Sequence, residues 1–189
     1  MEIILKQAKD DNIPIIQLEG LNFLTKFIKE NKIKNILEIG SAIGYSAINM
    51  ALADKDIKIL TIEKDVNRYN IALENIKRLN LQNQITIIND DAFNVEIDKN
   101  YDLVFIDAAK AQYTKFFEKV KNNTKYIITD NLSFHGLVGL SSEIKSKNLR
   151  GLVRKIEKYI VFLKENKDFE TTFYDIGDGI AVSKNKNTI

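Results

Sequence analysis

Residues 35–46 read Asn-Ile-Leu-Glu-Ile-Gly-Ser-Ala-Ile-Gly-Tyr-Ser. The apolar run Asn35–Ile39 is a short strand closed by Gly40, and Tyr45–Ala53 has helical character. A strand, a glycine turn and a helix open a βαβ unit. Outward from it the rhythm repeats. Lys58–Ile62, Ile85–Asn89, Tyr101–Ile106 and Lys125–Thr129 read as strands. Asp65 can cap a helix over about Val66–Leu79, with Tyr69, Ala72, Leu73, Ile76 and Leu79 on one face. Tyr113–Lys121 is a second such helix. Leu149–Glu165 is a third, with Leu152, Ile156, Ile160 and Leu163 as its apolar stripe. Ile16–Lys29 is a helix ahead of the first strand.

Alternation at this spacing predicts a parallel sheet with right-handed crossovers. The end of the chain breaks it. Thr171–Ile176 and Gly179–Ser183 are joined only by Gly177-Asp178, too short for a crossover helix, so they pair as an antiparallel hairpin. The expectation is an α/β doubly wound sheet, mostly parallel, with a C-terminal antiparallel hairpin and with residues 1–189 as one domain. Asn131–Asn148 is the one long irregular stretch, and such loops are often functional.

Composition narrows the chemistry. The chain has 189 residues, no cysteine and one histidine, His135. That excludes a disulfide framework, a zinc–thiolate site, a cysteine nucleophile and a multi-histidine metal site. Lys and Arg number 28 against 26 acidic residues, and a net charge of +2 argues against a continuous basic coat. Met1–Lys9 lacks a charged head followed by a long apolar stretch. No apolar run approaches the ~20 residues that span a bilayer. The default expectation is a cytoplasmic soluble enzyme or binding protein with no membrane partner.

Five strand ends carry candidate chemistry, because ligands in open α/β sheets bind at the carboxyl edge. Gly40 lets the backbone approach a ligand, and Gly44 permits the turn into a helix whose N–H groups can receive an anion. The spacing G-x-x-x-G lacks the third glycine of a dinucleotide fingerprint. Glu63 follows the second strand, where an acid suits the two hydroxyls of a ribose. Asp90, Asp91 and Ala92 follow the third strand, where an acid could accept from an adenine amino group. Asp107 ends the fourth strand, and Asp130-Asn131 the fifth. Two carboxylates and an amide oxygen from neighbouring strand ends suit a hard cation such as Mg²⁺. Such a cation lowers the pKa of a bound hydroxyl, and Lys110 is placed to take the proton. Arg150 and Arg154, two of the four arginines, lie one helical turn apart in a basic cluster with Lys145, Lys147, Lys155 and Lys158. For the lysines a solvated helix face is the simpler reading. His135 reads as a surface or packing residue, and Tyr113, Phe116 and Phe117 as core.

These segments resemble the metal-dependent class I S-adenosylmethionine O-methyltransferases of the catechol and caffeoyl-CoA type. LEIGSAIGYSAI, TIEKD, NDDAF, FIDAAKAQY, ITDN and FYDIGDGIAVSK occur in the family's order along nearly the whole chain. Within the family, IPIIQLEG, FIDAAKAQY and RGLVRKIEKY look most like the bacterial tRNA 5-hydroxyuridine methyltransferases. The resemblance implies a Rossmann-like seven-stranded fold and S-adenosyl-L-methionine and Mg²⁺ as cofactors. It also implies a tRNA anticodon loop as partner and a homodimer. By it, Glu38, Gly40 and Ser46 hold the methionine part, Glu63 takes the ribose, and Asp91 and Ala92 meet the adenine. Ile15 contacts the cofactor through its backbone. Asp107, Asp130 and Asn131 hold the metal, and Lys110 is the base. Arg150 and Arg154 would grip the RNA backbone. The chain departs from the family in having few residues ahead of IPIIQLEG. It also has Ala108-Ala109 where catechol enzymes carry bulkier residues, which favours a different acceptor. The competing expectations are a small-molecule O-methyltransferase acting on catechols or acyl-CoA phenols, an NAD-binding oxidoreductase and a non-catalytic RNA-binding scaffold.

Overall fold

A computed structural model describes residues 1–187. Its centre is one seven-stranded sheet. The strands are β1 (Asn35–Ile39), β2 (Lys58–Glu63), β3 (Ile85–Asn89), β4 (Tyr101–Ile106), β5 (Thr124–Thr129), β6 (Phe169–Tyr174) and β7 (Ile180–Asn185). Their spatial order is β3-β2-β1-β4-β5-β7-β6. The first five are parallel, and β7 runs antiparallel to both β5 and β6. This is the doubly wound, mostly parallel sheet with a terminal hairpin that the strand rhythm predicts. The order reverses between β1 and β4, which places the ligand crevice at their carboxyl ends.

The helices are α1 (Glu2–Asp10), α2 (Leu18–Glu30), α3 (Tyr45–Leu52), α4 (Val66–Arg78), α5 (Tyr113–Val120) and α6 (Lys147–Glu165). The central strands are apolar on both faces because helices cover both. Leu103 and Phe105 of β4 join one core with Leu24, Ile28 and Ile48 of α2 and α3. Val104 and Ile106 join the other, with Phe117, Ile156 and Tyr159 of α5 and α6. Continuous apolar runs, with no polar face, are what a parallel sheet buried on both sides requires.

Local signals account for most boundaries. The Asp65 side chain accepts from the N–H groups of Asn67 and Arg68 and starts α4. Ser146 accepts from the Leu149 N–H and starts α6 two residues earlier than the apolar stripe suggests. The buried stripe of α6 is Val153, Ile156, Tyr159 and Leu163, whereas Leu152 and Ile160 are only half-buried. The stripe is rotated because Tyr159 turns inward, where its hydroxyl shares a 2.8 Å hydrogen bond with Thr129 Oγ1. Helix α1 escaped the sequence reading because its core contact is a single pair one turn apart, Ile4 and Ala8.

The hairpin differs from expectation in register. β6 begins at Phe169, whose buried ring lies 4.9 Å from that of Phe117. The side-chain oxygen of Asn166 holds the Asp168 and Phe169 N–H groups at 3.0 Å and fixes that start. The connection to β7 is therefore residues 175–179, longer than the two-residue turn Gly177-Asp178. It is clamped to the segment after β5: Leu132 N–H donates to Gly179 O at 2.9 Å, and Ser133 N–H to Asp178 O at 2.7 Å. Gly179 has φ +82°, and a Cβ there would lie 2.4 Å from Ser133 Oγ and 2.6 Å from its nitrogen. No helix of the described residues is long and apolar enough to cross a membrane.

Gly179→Ala is expected to cost at least ~2 kcal/mol, since it combines a left-handed φ with a backbone clash. Urea unfolding measures this. A loss below ~0.5 kcal/mol, the range of an ordinary surface change, would show that the clamp is not rigid.

Candidate active site

The turn after β1 builds the floor of the site. Gly40 has φ +94°, and a Cβ on it would fall 2.2 Å from the Asp107 carbonyl oxygen. The loop then climbs through Ser41 and Ala42 to Gly44, which starts α3 with φ +82°. Beneath it lies Glu38, fully buried, with the hydroxyls of Ser46 and Thr61 donating to its two oxygens at 2.5 Å. Burial pushes the Glu38 carboxyl up to about 7, against the pull of those two hydroxyls. Ser46 lines the cavity above, but Glu38 does not. Its part is to hold Ser46 and to join β1 to β2 through Thr61.

The cavity encloses about 420 Å³ at the carboxyl edge of the sheet. Of the residues expected to hold a cofactor, Ile15, Gly40, Ser46, Glu63, Asp91, Ala92 and Asp107 all line it. Glu63 is buried and accepts from Ala42 N–H at 2.8 Å and from Asp65 N–H at 2.9 Å, one bond to each oxygen. Each oxygen keeps a lone pair for a ligand hydroxyl. Asp65 supplies the helix cap, which leaves Glu63 facing the cavity. Asp91 accepts from Phe93 N–H at 3.0 Å, beside the buried Ala92. Ser41, unremarked in the sequence, is 2% exposed and lines the same cavity, and its hydroxyl has no partner. An orphaned hydroxyl in a cradle points to a ligand atom that completes it.

At the other end the strand-end acids meet. Asp107 is half-buried and Asp130 is 2% exposed. Burial first, and the charge of Asp107 second, push the Asp130 carboxyl up to about 7. Burial also raises Asp107, and the nearby Lys110 ammonium opposes it. Lys110 Nζ donates to Asn131 Oδ1 at 2.8 Å and lies 5.5 Å above the Phe134 ring. The Asn131 amide N–H in turn points at Asp130 Oδ2, at 3.3 Å. Tyr113, buried as expected, donates its hydroxyl to the Asp130 main-chain oxygen at 2.9 Å and fixes that turn.

Two carboxylates and an amide oxygen therefore stand together. Among the described residues no group of three or more His, Cys, Asp or Glu is placed to hold a metal. The donor set still suits a hard cation, because two neighbouring acids, one half-buried and one buried, share the Lys110 ammonium as counter-charge. In the structure as it stands Lys110 occupies the amide oxygen.

The loop after Asn131 turns tightly. Phe134, His135 and Gly136 all have positive φ, from +45° to +75°. Asp178 holds this turn, accepting from His135 N–H at 2.5 Å. His135 is an exposed side chain, as its sequence setting suggests, but it and Asp178 also line the cavity. No sequence signal linked them, since they are far apart in the chain. Arg150 and Arg154 are not equivalent. Arg150 is half-buried and donates to Ile144 O at 3.0 Å, bracing the loop, whereas Arg154 is exposed.

A doubly wound sheet with a Gly-turn cradle, an acid after β2 and acids after β4 and β5 defines a nucleoside-cofactor enzyme of the α/β class. The chain belongs to the O-methyltransferase family, whose model matches residues 4–186. Tapetum-specific methyltransferase 1 of Arabidopsis thaliana is 30% identical over 174 residues, covering 86% of this chain and 74% of that protein. A Staphylococcus aureus crystal structure, provisionally named a caffeoyl-CoA O-methyltransferase, is 38% identical with a TM-score of 0.92. It covers 97% of this chain and 91% of that one. An O-methyltransferase from Bacillus cereus, solved in complex with SAH, shares the fold at 24% identity and a TM-score of 0.83. That match covers 98% of this chain and 90% of that one.

Glu38→Gln tests the buried acid under the cradle. Burial lets folded Glu38 keep its proton to about pH 7, while the unfolded chain releases it near 4.5, the ordinary value of a glutamate. Wild-type stability should therefore fall as pH rises through that window, by up to ~1.4 kcal/mol per pH unit more than in the variant. Urea midpoints at pH 5 and pH 7.5 read the difference. Parallel pH profiles would place Glu38 in contact with water.

Proposed function

We propose that the protein is an S-adenosylmethionine-dependent, Mg²⁺-assisted O-methyltransferase. Its substrate on this reading is 5-hydroxyuridine at the wobble position of tRNA, and its product 5-methoxyuridine. The observation that carries the RNA reading is the exposed positive charge on α6 and on the loop that leads into it. Lys145, Lys147, Arg154, Lys155 and Lys158 are all exposed on α6 and the loop leading to it, the loop that begins at Asn131. None of them is in an ion pair among the described residues. A row of exposed cations on the helix that braces the loop after β5 suits a phosphate backbone, and single-stranded loops allow a base to splay into a pocket. The cofactor reading is supported by the SAH held in the Bacillus cereus relative and by the cradle described above.

When bound, the sulfonium supplies the methyl group and departs as a neutral thioether, and a divalent cation lowers the pKa of the acceptor hydroxyl. The chain's own residues do the rest. Glu63 takes the ribose hydroxyls with its free lone pairs. The Gly40–Ala42 backbone and the Ser41 hydroxyl receive the methionine end. Asp91 and Ala92 frame the base. Asp107, Asp130 and Asn131 would hold the cation through their oxygens, and Lys110, once it has left Asn131 and lost a proton to solvent, would receive the hydroxyl proton on its neutral amine. Orientation by these fixed groups supplies much of the rate.

A small phenol is the second reading, favoured by the name of the Staphylococcus aureus relative. The two separate in one assay. Methyl transfer is measured from S-adenosylmethionine to a 5-hydroxyuridine anticodon stem-loop and to catechol, with Mg²⁺ and with chelator. Turnover of the stem-loop that stops with chelator is expected. Turnover of catechol alone would overturn the RNA reading. Asp130→Ala should lower activity at least ~100-fold while the cofactor dissociation constant holds within about threefold. An active variant would remove the cation from the mechanism. Reversing charge at Arg154 and Lys158 together should weaken stem-loop binding roughly tenfold at low salt and flatten its salt dependence. Unchanged RNA affinity would show that α6 does not touch the backbone.

A further inference from the structure

Among the described residues, two buried side-chain oxygens have no hydrogen-bond partner, Ser41 Oγ and Asp178 Oδ2, and both belong to residues that line the same cavity. Ser41 belongs to the cofactor cradle. Asp178 comes from the β6–β7 connection and stands at the acid end. Leu132 and Ser133, the residues directly after Asn131, are bonded to the main chain of Gly179 and Asp178. One oxygen of the Asp178 carboxylate accepts from His135 N–H, which accounts for its role in holding the loop. The other oxygen has no such role. Asp178 is 4% exposed, and Oδ2 lies 3.8 Å from His135 Nδ1, beyond hydrogen-bond distance. A buried carboxylate oxygen without a donor is costly, so the position is built for a donor that the chain does not supply.

We infer that Asp178 determines which base enters the site, its free oxygen accepting a hydrogen bond from the ring N3–H of the acceptor. The inference rests on the reading of the acceptor as 5-hydroxyuridine. In that ring the 5-hydroxyl, O4 and N3–H follow one another along one edge. A base that turns its hydroxyl to Asp107, Asp130 and Asn131 presents O4 and then N3–H along the same side of the pocket. There Asp178 meets a donor. In 5-hydroxycytidine N3 carries a lone pair, which a carboxylate oxygen repels. A catechol has no ring N–H to offer. Sites that hydrogen-bond a substrate group discriminate strongly against analogues that leave the buried partner unpaired.

Asp178→Asn keeps an oxygen for His135 N–H and sets an amide N–H at the free position, so acceptor becomes donor. The measurement is kcat/KM for stem-loops carrying 5-hydroxyuridine or 5-hydroxycytidine, in wild type and variant, with thermal unfolding as the check on folding. The wild type should prefer 5-hydroxyuridine, and the variant should lower that preference by roughly tenfold or more. An equal loss on both substrates, the signature of a loosened loop, overturns the inference. So does a wild type that methylates both equally, a result that needs no variant. His135→Ala removes the imidazole beside Oδ2 and leaves the carboxylate, so it should keep the wild-type preference. A collapse of the preference there would make His135 the reader instead. A wild type that methylates neither stem-loop but turns over catechol defeats the RNA reading itself, and this inference falls with it.

Discussion

The site depends on a ladder of main-chain bonds that continues one residue past the strand ends. Gly40 N–H donates to Ile62 O, Asp107 N–H to Ile39 O, and Asp130 N–H to Ile106 O, at 2.9, 3.1 and 3.3 Å. Three successive strand ends are thereby held in register across β2, β1, β4 and β5. The closeness is absolute at Gly40, where no side chain fits against the Asp107 carbonyl. Because the acids extend from this ladder, their separation is set by backbone geometry. A floor built on strand ends is stiffer than one built on loops, and that stiffness is what positioning a transferred group requires.

The same closeness creates an electrostatic demand. The charge of Asp107 raises both Glu38 and Asp130, and burial raises all three. Within the pocket, Lys110 is the cation that opposes the charge of both Asp107 and Asp130. Gathering acids where water is scarce is unfavourable unless a ligand offsets the cost. The proposed ligands, a sulfonium and a divalent cation, are both positive. The electrostatics and the proposed chemistry therefore point the same way without reference to the relatives.

Much of this was legible in the sequence, for a physical reason. Parallel strands buried on both faces must be short, apolar and bounded, and NILEI, KILTI and YDLVFI announce themselves by composition. Residues at strand ends inherit their positions from the topology, so Glu63, Asp107 and Asp130 could be placed before any coordinate. What could not be read depends on contacts between distant segments. The start of β6 is set by Phe169 on Phe117 and by the Asn166 side chain, neither visible as periodicity. Helix α1 has too narrow an apolar face to show. The Glu38 side chain looks like a ligand contact by its place at a strand end. It turns down into the core because Thr61 and Ser46 offer hydroxyls there. Ser41 and Asp178 carried no signal, because an unpaired oxygen is a property of the packed molecule.

The division of labour between sheet and periphery follows from these contacts. The cradle, Glu63 and the strand-end acids belong to the rigid floor and serve chemistry common to any acceptor. The groups proposed to meet the acceptor's remaining edge hang from the loop after β5 and from the hairpin connection. Those two segments are bonded to each other through Leu132, Ser133 and His135. The loop is bonded onward to α6 through Arg150 on Ile144 O and Glu157 on Gly139 N–H. Phe134 and His135 hold a left-handed φ that strains a residue with a Cβ, and such strain persists only where surrounding bonds over-determine it. The strain is therefore localised in the loop proposed to meet the acceptor, and the helix that braces the loop is the one that carries the exposed cations. Loops on a fixed scaffold can change substrate without disturbing the reaction. Here the loop and hairpin form a single unit, so Asp178, proposed to read the base, and the α6 surface, proposed to hold its backbone, are coupled through a few hydrogen bonds.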